Sequence, residues 1–155
     1  MSGNQNQKVD NALIGAAGVH FVVSELSFRG LIALPTMRNT AGIDVLVSNC
    51  DGSWHANLQV KTSKNKVGFW PVGYRYKDLK GENNYYVFLR YLKDEKRFEA
   101  FLETADNVAR QVEEEYLRCK KQGYAEWAPS WYLPKIEEQK LQLAKQWVDF
   151  GKNLC

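Results

Sequence analysis

The residues of this 155-residue chain best arranged for chemistry lie between Ile43 and Lys61, where IDVLVSNCDGSWHANLQVK reads as a β-hairpin with polar side chains that a plain hairpin does not need. Asp51-Gly52 predicts a two-residue type I′ turn, because both central positions require φ > 0 and this pair tolerates it. With Cys50 facing Ser53, the register runs Val47 to Ala56, Val45 to Leu58, Asp44 to Gln59 and Ile43 to Val60. Side chains alternate across a strand, so Ile43, Val45, Val47, Ala56, Leu58 and Val60 form one apolar face, and Asp44, Gln59 and Lys61 share the other. Directly opposed Cβ atoms are about 5 Å apart, so a carboxylate and an amide oxygen can share one cation there, with an ammonium two residues along. Mg²⁺ and Mn²⁺ are hard cations that take such oxygen ligands.

The elements that must hold this hairpin are legible on both sides. Leu13 to Arg29 carries Leu13, Ile14, Val19, Val22, Val23 and Leu26 near helical spacing, with Asp10 or Asn11 as cap and Gly30 as stop. Gly15 and Gly18 each cost such a helix about 1 kcal/mol relative to Ala, and close packing against a sheet accounts for them. Residues 30–34 read as a short buried strand ended by Pro35, and TMRNTAG, residues 36–42, as a loop leading into Asp44. Downstream, residues 84–92 and 97–102 read as strands joined by the charged turn Lys93 to Lys96. A helix capped by Thr104 or Asp106 runs to about Gln122, residues 124–134 form an irregular loop rich in Trp and Pro, and a last amphipathic helix spans about 136–150. That final helix can complete the domain or pair with a second subunit.

Asp44 followed, after a hairpin turn, by Gln59-Val60-Lys61 resembles the D…(E/Q)xK signature of the PD-(D/E)XK nuclease superfamily. The glutamine variant is similar to that of Mrr-type restriction endonucleases and some resolvase-like relatives. A helix and then a strand ahead of the hairpin match that family's order of elements, and the resemblance covers about residues 10–104. It implies an α/β fold, a restriction endonuclease-like mixed β-sheet flanked by helices, within a single domain whose C-terminal part, about residues 105–155, adds extra helices. It also implies a Mg²⁺- or Mn²⁺-dependent endonuclease, with Asp44, Gln59 and the Val60 backbone carbonyl as metal ligands and Lys61 orienting or helping to deprotonate the attacking water. The family's first helix often carries a glutamate that assists the metal; here the matching position is Val19, and the neighbouring His20 is a possible accessory residue. Restriction-like and resolvase-like relatives act as dimers, which implies a homodimer.

Charge is distributed in keeping with a nucleic-acid partner, DNA for preference. Lys61, Lys64, Lys66, Arg75, Lys77 and Lys80 are six basic residues against the single acid Asp78 over residues 61–80, whereas residues 1–60 hold three basic and four acidic ones. Phosphates are contacted by such clusters, and the aromatics interleaved here, Phe69 to Tyr76, can stack on unpaired bases or pack under lysine stems. Arg38, Lys64, Lys66, Arg75 and Lys77 are the candidate nucleic-acid contacts. The net charge of +3 alone selects no partner. No uninterrupted apolar run approaches the roughly 20 residues of a membrane helix, and the polar start has no signal-like apolar core, so a cytoplasmic protein is expected. Cys50, Cys119 and Cys155 are odd in number and far apart, and are expected to be ordinary reduced thiols. Two other classes remain open from the residues: a catalytically silent nuclease fold that binds nucleic acid or protein, and an inhibitor or immunity-type partner protein using its Trp-rich C-terminal part.

Overall fold

Hairpin, flanking strands and helices assemble around a single five-stranded sheet in the computed structural model, which describes residues 10–37, 42–124 and 128–154. In chain order the elements are α1 (Asn11–Phe28), β1 (Ile32–Pro35), β2 (Val45–Ser48), β3 (His55–Ser63), β4 (Phe69–Pro71), β5 (Asn84–Leu92), β6 (Arg97–Thr104), α2 (Ala105–Lys121), β7 (Ser130–Tyr132) and α3 (Glu137–Asp149). The strands line up β1-β2-β3-β5-β6, antiparallel except for the parallel pair β3–β5. The expected mixed α/β architecture, a mixed sheet flanked by helices, is the one observed.

Strand alternation gives the sheet two different faces and two cores. On one face Val45, Val47, Leu58, Val60, Val87 and Leu89 pack against Val22 and Leu26 of α1. On the other, Tyr86, Phe88 and Phe101 pack against Trp70, Trp131 and the α2 residues Val108 and Val112. Helix α3 lies beside β6 and feeds both cores, Leu143 into the second and Trp147 and Phe150 into the first. It thereby covers an edge strand that would otherwise expose unpaired backbone groups.

Helix α1 begins where Asp10 accepts the amide of Ala12 at 2.9 Å and ends at Gly30, whose φ of 85° only glycine adopts cheaply. Eighteen residues long, it is apolar enough by length and composition to pass for a membrane span. That differs from the expectation drawn from uninterrupted runs, which are cut here by glycine, serine and histidine. Its Gly18, Val22 and Leu26 are buried against the sheet. Gly18 is the point of closest approach: a Cβ there would overlap the Thr62 hydroxyl on β3. The glycine thus brings the helix axis down onto the strand that carries the candidate site.

Three expectations need correction. The hairpin turn is not the two-residue type I′ form, since only Gly52 of the Asp51-Gly52 pair has φ > 0, at 75°. Instead the Gly52 amide bonds the Asn49 carbonyl at 3.2 Å and the Asn49 side chain accepts the Trp54 amide at 2.9 Å, making a longer loop. The buried Asn49 amide also donates to the Leu154 carbonyl at 3.2 Å, so tertiary contact with the C-terminal segment selects the loop shape. Second, the Trp-rich stretch is not wholly irregular, because β7 within it pairs with β4 as a two-stranded ribbon, Trp70 opposite Trp131. Neither three-residue strand is long enough to show a period in sequence. Third, Cys50 is disulfide-bonded, while Cys119 is free, so the thiols are not all reduced; spacing along the chain carries no record of which sulfurs meet in space.

Candidate functional site

The register of the hairpin is the expected one, Val45 opposite Leu58 and Val47 opposite Ala56, but regular pairing ends at Val45, and the Asp44 amide donates to the same Leu58 carbonyl at 2.8 Å, so that Asp44 no longer stands opposite Gln59. Ahead of it the chain turns through Gly42, with φ 74°, toward β1. Thr36 takes up its backbone: the Thr36 amide donates to the Asp44 carbonyl at 2.9 Å, and the Thr36 hydroxyl to the Ile43 carbonyl at 2.5 Å. Past the end of regular pairing the amide of Val60 meets no backbone carbonyl among the described residues. The Asp44 carboxylate takes the place of one, Oδ2 accepting from Val60 N at 2.7 Å.

This one bond defines the geometry of the site. Backbone groups of successive strand residues point alternately to the left and right neighbour. The Asn57 amide goes to Asn83 on the β5 side, and the Val60 amide to Asp44 on the β2 side. The Val60 carbonyl therefore also points toward Asp44, past the end of β2. Among the described residues Asp44 Oδ1 accepts no hydrogen bond, so the carboxylate keeps one oxygen for a ligand.

Gln59 and Lys61 share the face opposite the α1 core, but Gln59 and Asp44 do not line the same recess. Gln59 lines a cleft of about 320 Å³ with Ile43, Val72, Tyr74, Arg75 and Leu79. Asp44 lines a second cleft, about 470 Å³, with Val19, His20, Gly15 and Thr36. The difference from the expected facing pair follows from the slip in register at Asp44, whose amide bonds Leu58 and whose carboxylate accepts the Val60 amide instead of standing on the polar face beside Gln59. Val19 and His20 do stand on the Asp44 side, Val19 half-buried against the core and His20 exposed.

Lys61 is half-buried and forms no ion pair among the described residues. Burial holds its ammonium pKa below the ordinary lysine value, with the Asp44 charge opposing that shift. The result is a desolvated amine that gives up its proton more readily than a surface lysine. Beside it stands a residue the sequence did not single out. The parallel pairing sets Gln59 next to Tyr86 and Lys61 next to Phe88. Tyr86 is pushed up to about 12, by burial first and then by the charges of Asp78 and Asp44, so its hydroxyl stays protonated at neutral pH. Residues 84–92 read plainly as a strand, but nothing in them announces a parallel register with β3.

The expected nucleic-acid contacts divide in two. Lys64 and Lys66 form no ion pair among the described residues, whereas Arg75 is tied to Asp78 at 2.6 Å and Lys77 to Glu113. Arg38 lies outside the described residues. Tyr76 donates to the same Glu113 at 2.7 Å, which fastens the 74–79 turn to α2 and fixes one wall of the Gln59 cleft.

As a metal site, the donor set is all oxygen and carries one charge, the free Asp44 carboxylate oxygen and the Val60 carbonyl; the Gln59 amide lines the other cleft. Among the described residues no three His, Cys, Asp or Glu side chains converge as ligands. Such a set fits a hard divalent cation that keeps most of its waters and is completed by substrate phosphate. It does not fit a tightly held structural metal.

No protein-family model matches the sequence, and no curated protein does. Among solved structures the chain is similar to one titled "The structure of a bacterial homing endonuclease: I-Ssp6803I", with a TM-score of 0.47 and 13% sequence identity over 84% of this chain and 82% of that one.

Proposed function

We propose that this protein is a metal-dependent nuclease that hydrolyses phosphodiester bonds of nucleic acid, DNA for preference, at Asp44, Val60 and Lys61. The observation that carries the proposal is the Asp44 carboxylate held on the Val60 amide at 2.7 Å. What supports this reading is an anionic oxygen held on β3 next to Lys61, whose amine is half-buried and feels the Asp44 charge. Asp44 Oδ1 and the Val60 carbonyl would hold Mg²⁺ or Mn²⁺. A cation held there supplies Lewis acidity to a phosphoryl oxygen. Lys61 orients the attacking water and either accepts a proton from it as the neutral amine, which burial favours, or as the ammonium offsets charge building on the phosphate. Lys64 and Lys66 hold the flanking backbone through phosphate contacts. His20, exposed beside Asp44, is the accessory group nearest the carboxylate along α1.

A second reading is favoured by Val19. An aliphatic side chain lines the Asp44 cleft where a helix carboxylate would add charge, which suits a nuclease fold that binds nucleic acid without cutting it.

Incubating plasmid, single-stranded and branched DNA with Mg²⁺ or Mn²⁺ separates the two. Native protein is expected to cleave, and Asp44→Ala and Lys61→Ala each to lose about 10²-fold or more in rate, the usual contribution of a positioned acid–base group. Binding without cleavage in native protein supports the second reading; cleavage that survives both substitutions removes the site from Asp44 and Lys61.

A further inference from the structure

The cleft in front of Gln59 is built differently from the Asp44 site, and the difference points to what fills it. Its walls are Ile43, Val72 and Leu79, of which Val72 and Leu79 are buried. Its charged lining residues cancel, Arg75 and Asp78 pairing at 2.6 Å. Gly42 and Gly73, with φ of 74° and 79°, bring bare backbone to its rim, and a Cβ at either would meet nothing within 4 Å. The floor is the Gln59 side chain, an amide with two donors and one acceptor. Tyr74 stands at the mouth, 66% exposed. Its ring nonetheless has a fixed neighbour, meeting Tyr116 edge-to-face at 6.2 Å and 89°.

These features describe the complement of a flat, uncharged ring with polar edges. Apolar walls accept its faces, an aromatic ring offers a stacking surface, and an amide with exposed backbone reads its edge. A charged ligand would leave its charge unmatched in a recess where Arg75 and Asp78 already neutralise each other. The polyanion belongs elsewhere, along Lys61, Lys64 and Lys66 as β3 runs out of the cleft.

We infer that the Gln59–Tyr74 cleft receives one unpaired nucleobase, and that the substrate is a single strand or a strand with an unstacked nucleotide. In a continuous duplex both faces of every base are covered and the Watson–Crick edge is occupied, so neither Tyr74 nor Gln59 finds its contact. The inference rests on the nuclease proposal only for the polymer; the cleft itself is defined by its lining.

The test is binding in EDTA, which removes cleavage from the readout. Fluorescent single-stranded DNA and the matching duplex are titrated with the full chain at one fixed salt concentration. Native protein should bind the single strand about tenfold or more tightly than the duplex, and Tyr74→Ala should weaken the single-strand complex by about tenfold while leaving the duplex unchanged, the size expected for one lost base stack. Tyr74→Phe, which keeps the ring, should bind as the native protein does; Tyr74 is exposed enough for both variants to fold. Equal affinity for both DNAs, an unchanged Tyr74→Ala, or a Tyr74→Phe as weak as Tyr74→Ala overturns the inference. Tyr74-dependent single-strand binding without any metal-stimulated cleavage removes the nuclease proposal and keeps this one; Asp44-dependent cleavage without a Tyr74 effect does the reverse.

Discussion

Strand β3 has two faces that obey opposite rules. Leu58 and Val60 point into the α1 core, among apolar side chains, and Leu58 is fully buried. Gln59 and Lys61, one residue out of phase, point to a face left open beside the Tyr74 cleft, where an amine sits half-buried with no ion pair among the described residues. The first face obtains its stability from close packing; the second gives some up, because burying an uncompensated charge costs free energy. What the contrast teaches is that one face rigidly positions the other: a site on a strand whose back is welded to a helix cannot drift.

Substitutions on the two faces should therefore separate stability from chemistry. The largest effect on folding is expected from Leu58→Ala, which removes a fully buried side chain between α1 and the sheet and should cost about 2–5 kcal/mol in urea or guanidinium unfolding. A cost under about 1 kcal/mol would mean that the closed face is not the source of rigidity.

Next comes Gly18→Ala. The added methyl would overlap the Thr62 hydroxyl, whose Oγ1 is buried with no hydrogen-bond partner among the described residues. Overpacking of this kind typically costs about 1–3 kcal/mol, even though alanine is the better helix former. The double variant Gly18→Ala/Thr62→Ala should recover most of the loss, since the two residues share one contact. Additive losses would show that α1 does not approach β3 at this point.

The smallest effect has the opposite sign. The folded-state pKa of Lys61 lies below the ordinary 10.5 because burial disfavours its charge. The unfolded chain then binds more protons than the folded one between those two values, so stability rises as pH climbs through that window and the penalty is fully present below it. Lys61→Met should accordingly melt about a degree or two above native protein at neutral pH, with the gap closing as pH approaches about 10.5, while losing nuclease activity. A variant that melts below native at neutral pH would show that the amine is stabilised where it sits.

The face assignment of the hairpin, the order of elements and most boundaries were legible from local patterns. Period-two alternation from Val45 to Val60 marks a half-buried strand pair wherever it occurs, and α1 and α2 carry their caps, Asp10 and Thr104, in the sequence beside them. Other features depended on contacts between distant segments. The turn at Asp51-Gly52 was misread because Asn49 is held by the C-terminal Leu154, and the β4–β7 ribbon because Trp70 and Trp131, far apart in the chain, both pack on Phe88, Trp131 stacked and Trp70 tilted.

The candidate site shows the same division. By itself the sequence determined that Asp44 and the Gln59-Val60-Lys61 run belong to adjacent strands of one hairpin and that Gln59 and Lys61 share a face opposite Val60, because the side-chain period of a strand is two. Only the tertiary structure decided that the Asp44 backbone is held between Thr36 and Leu58 with its carboxylate on the Val60 amide, and that parallel pairing brings Tyr86 beside Gln59. Hydrogen bonds between segments set where a ladder ends and which strand lies next to which, and no local pattern encodes a partner that arrives from elsewhere in the chain.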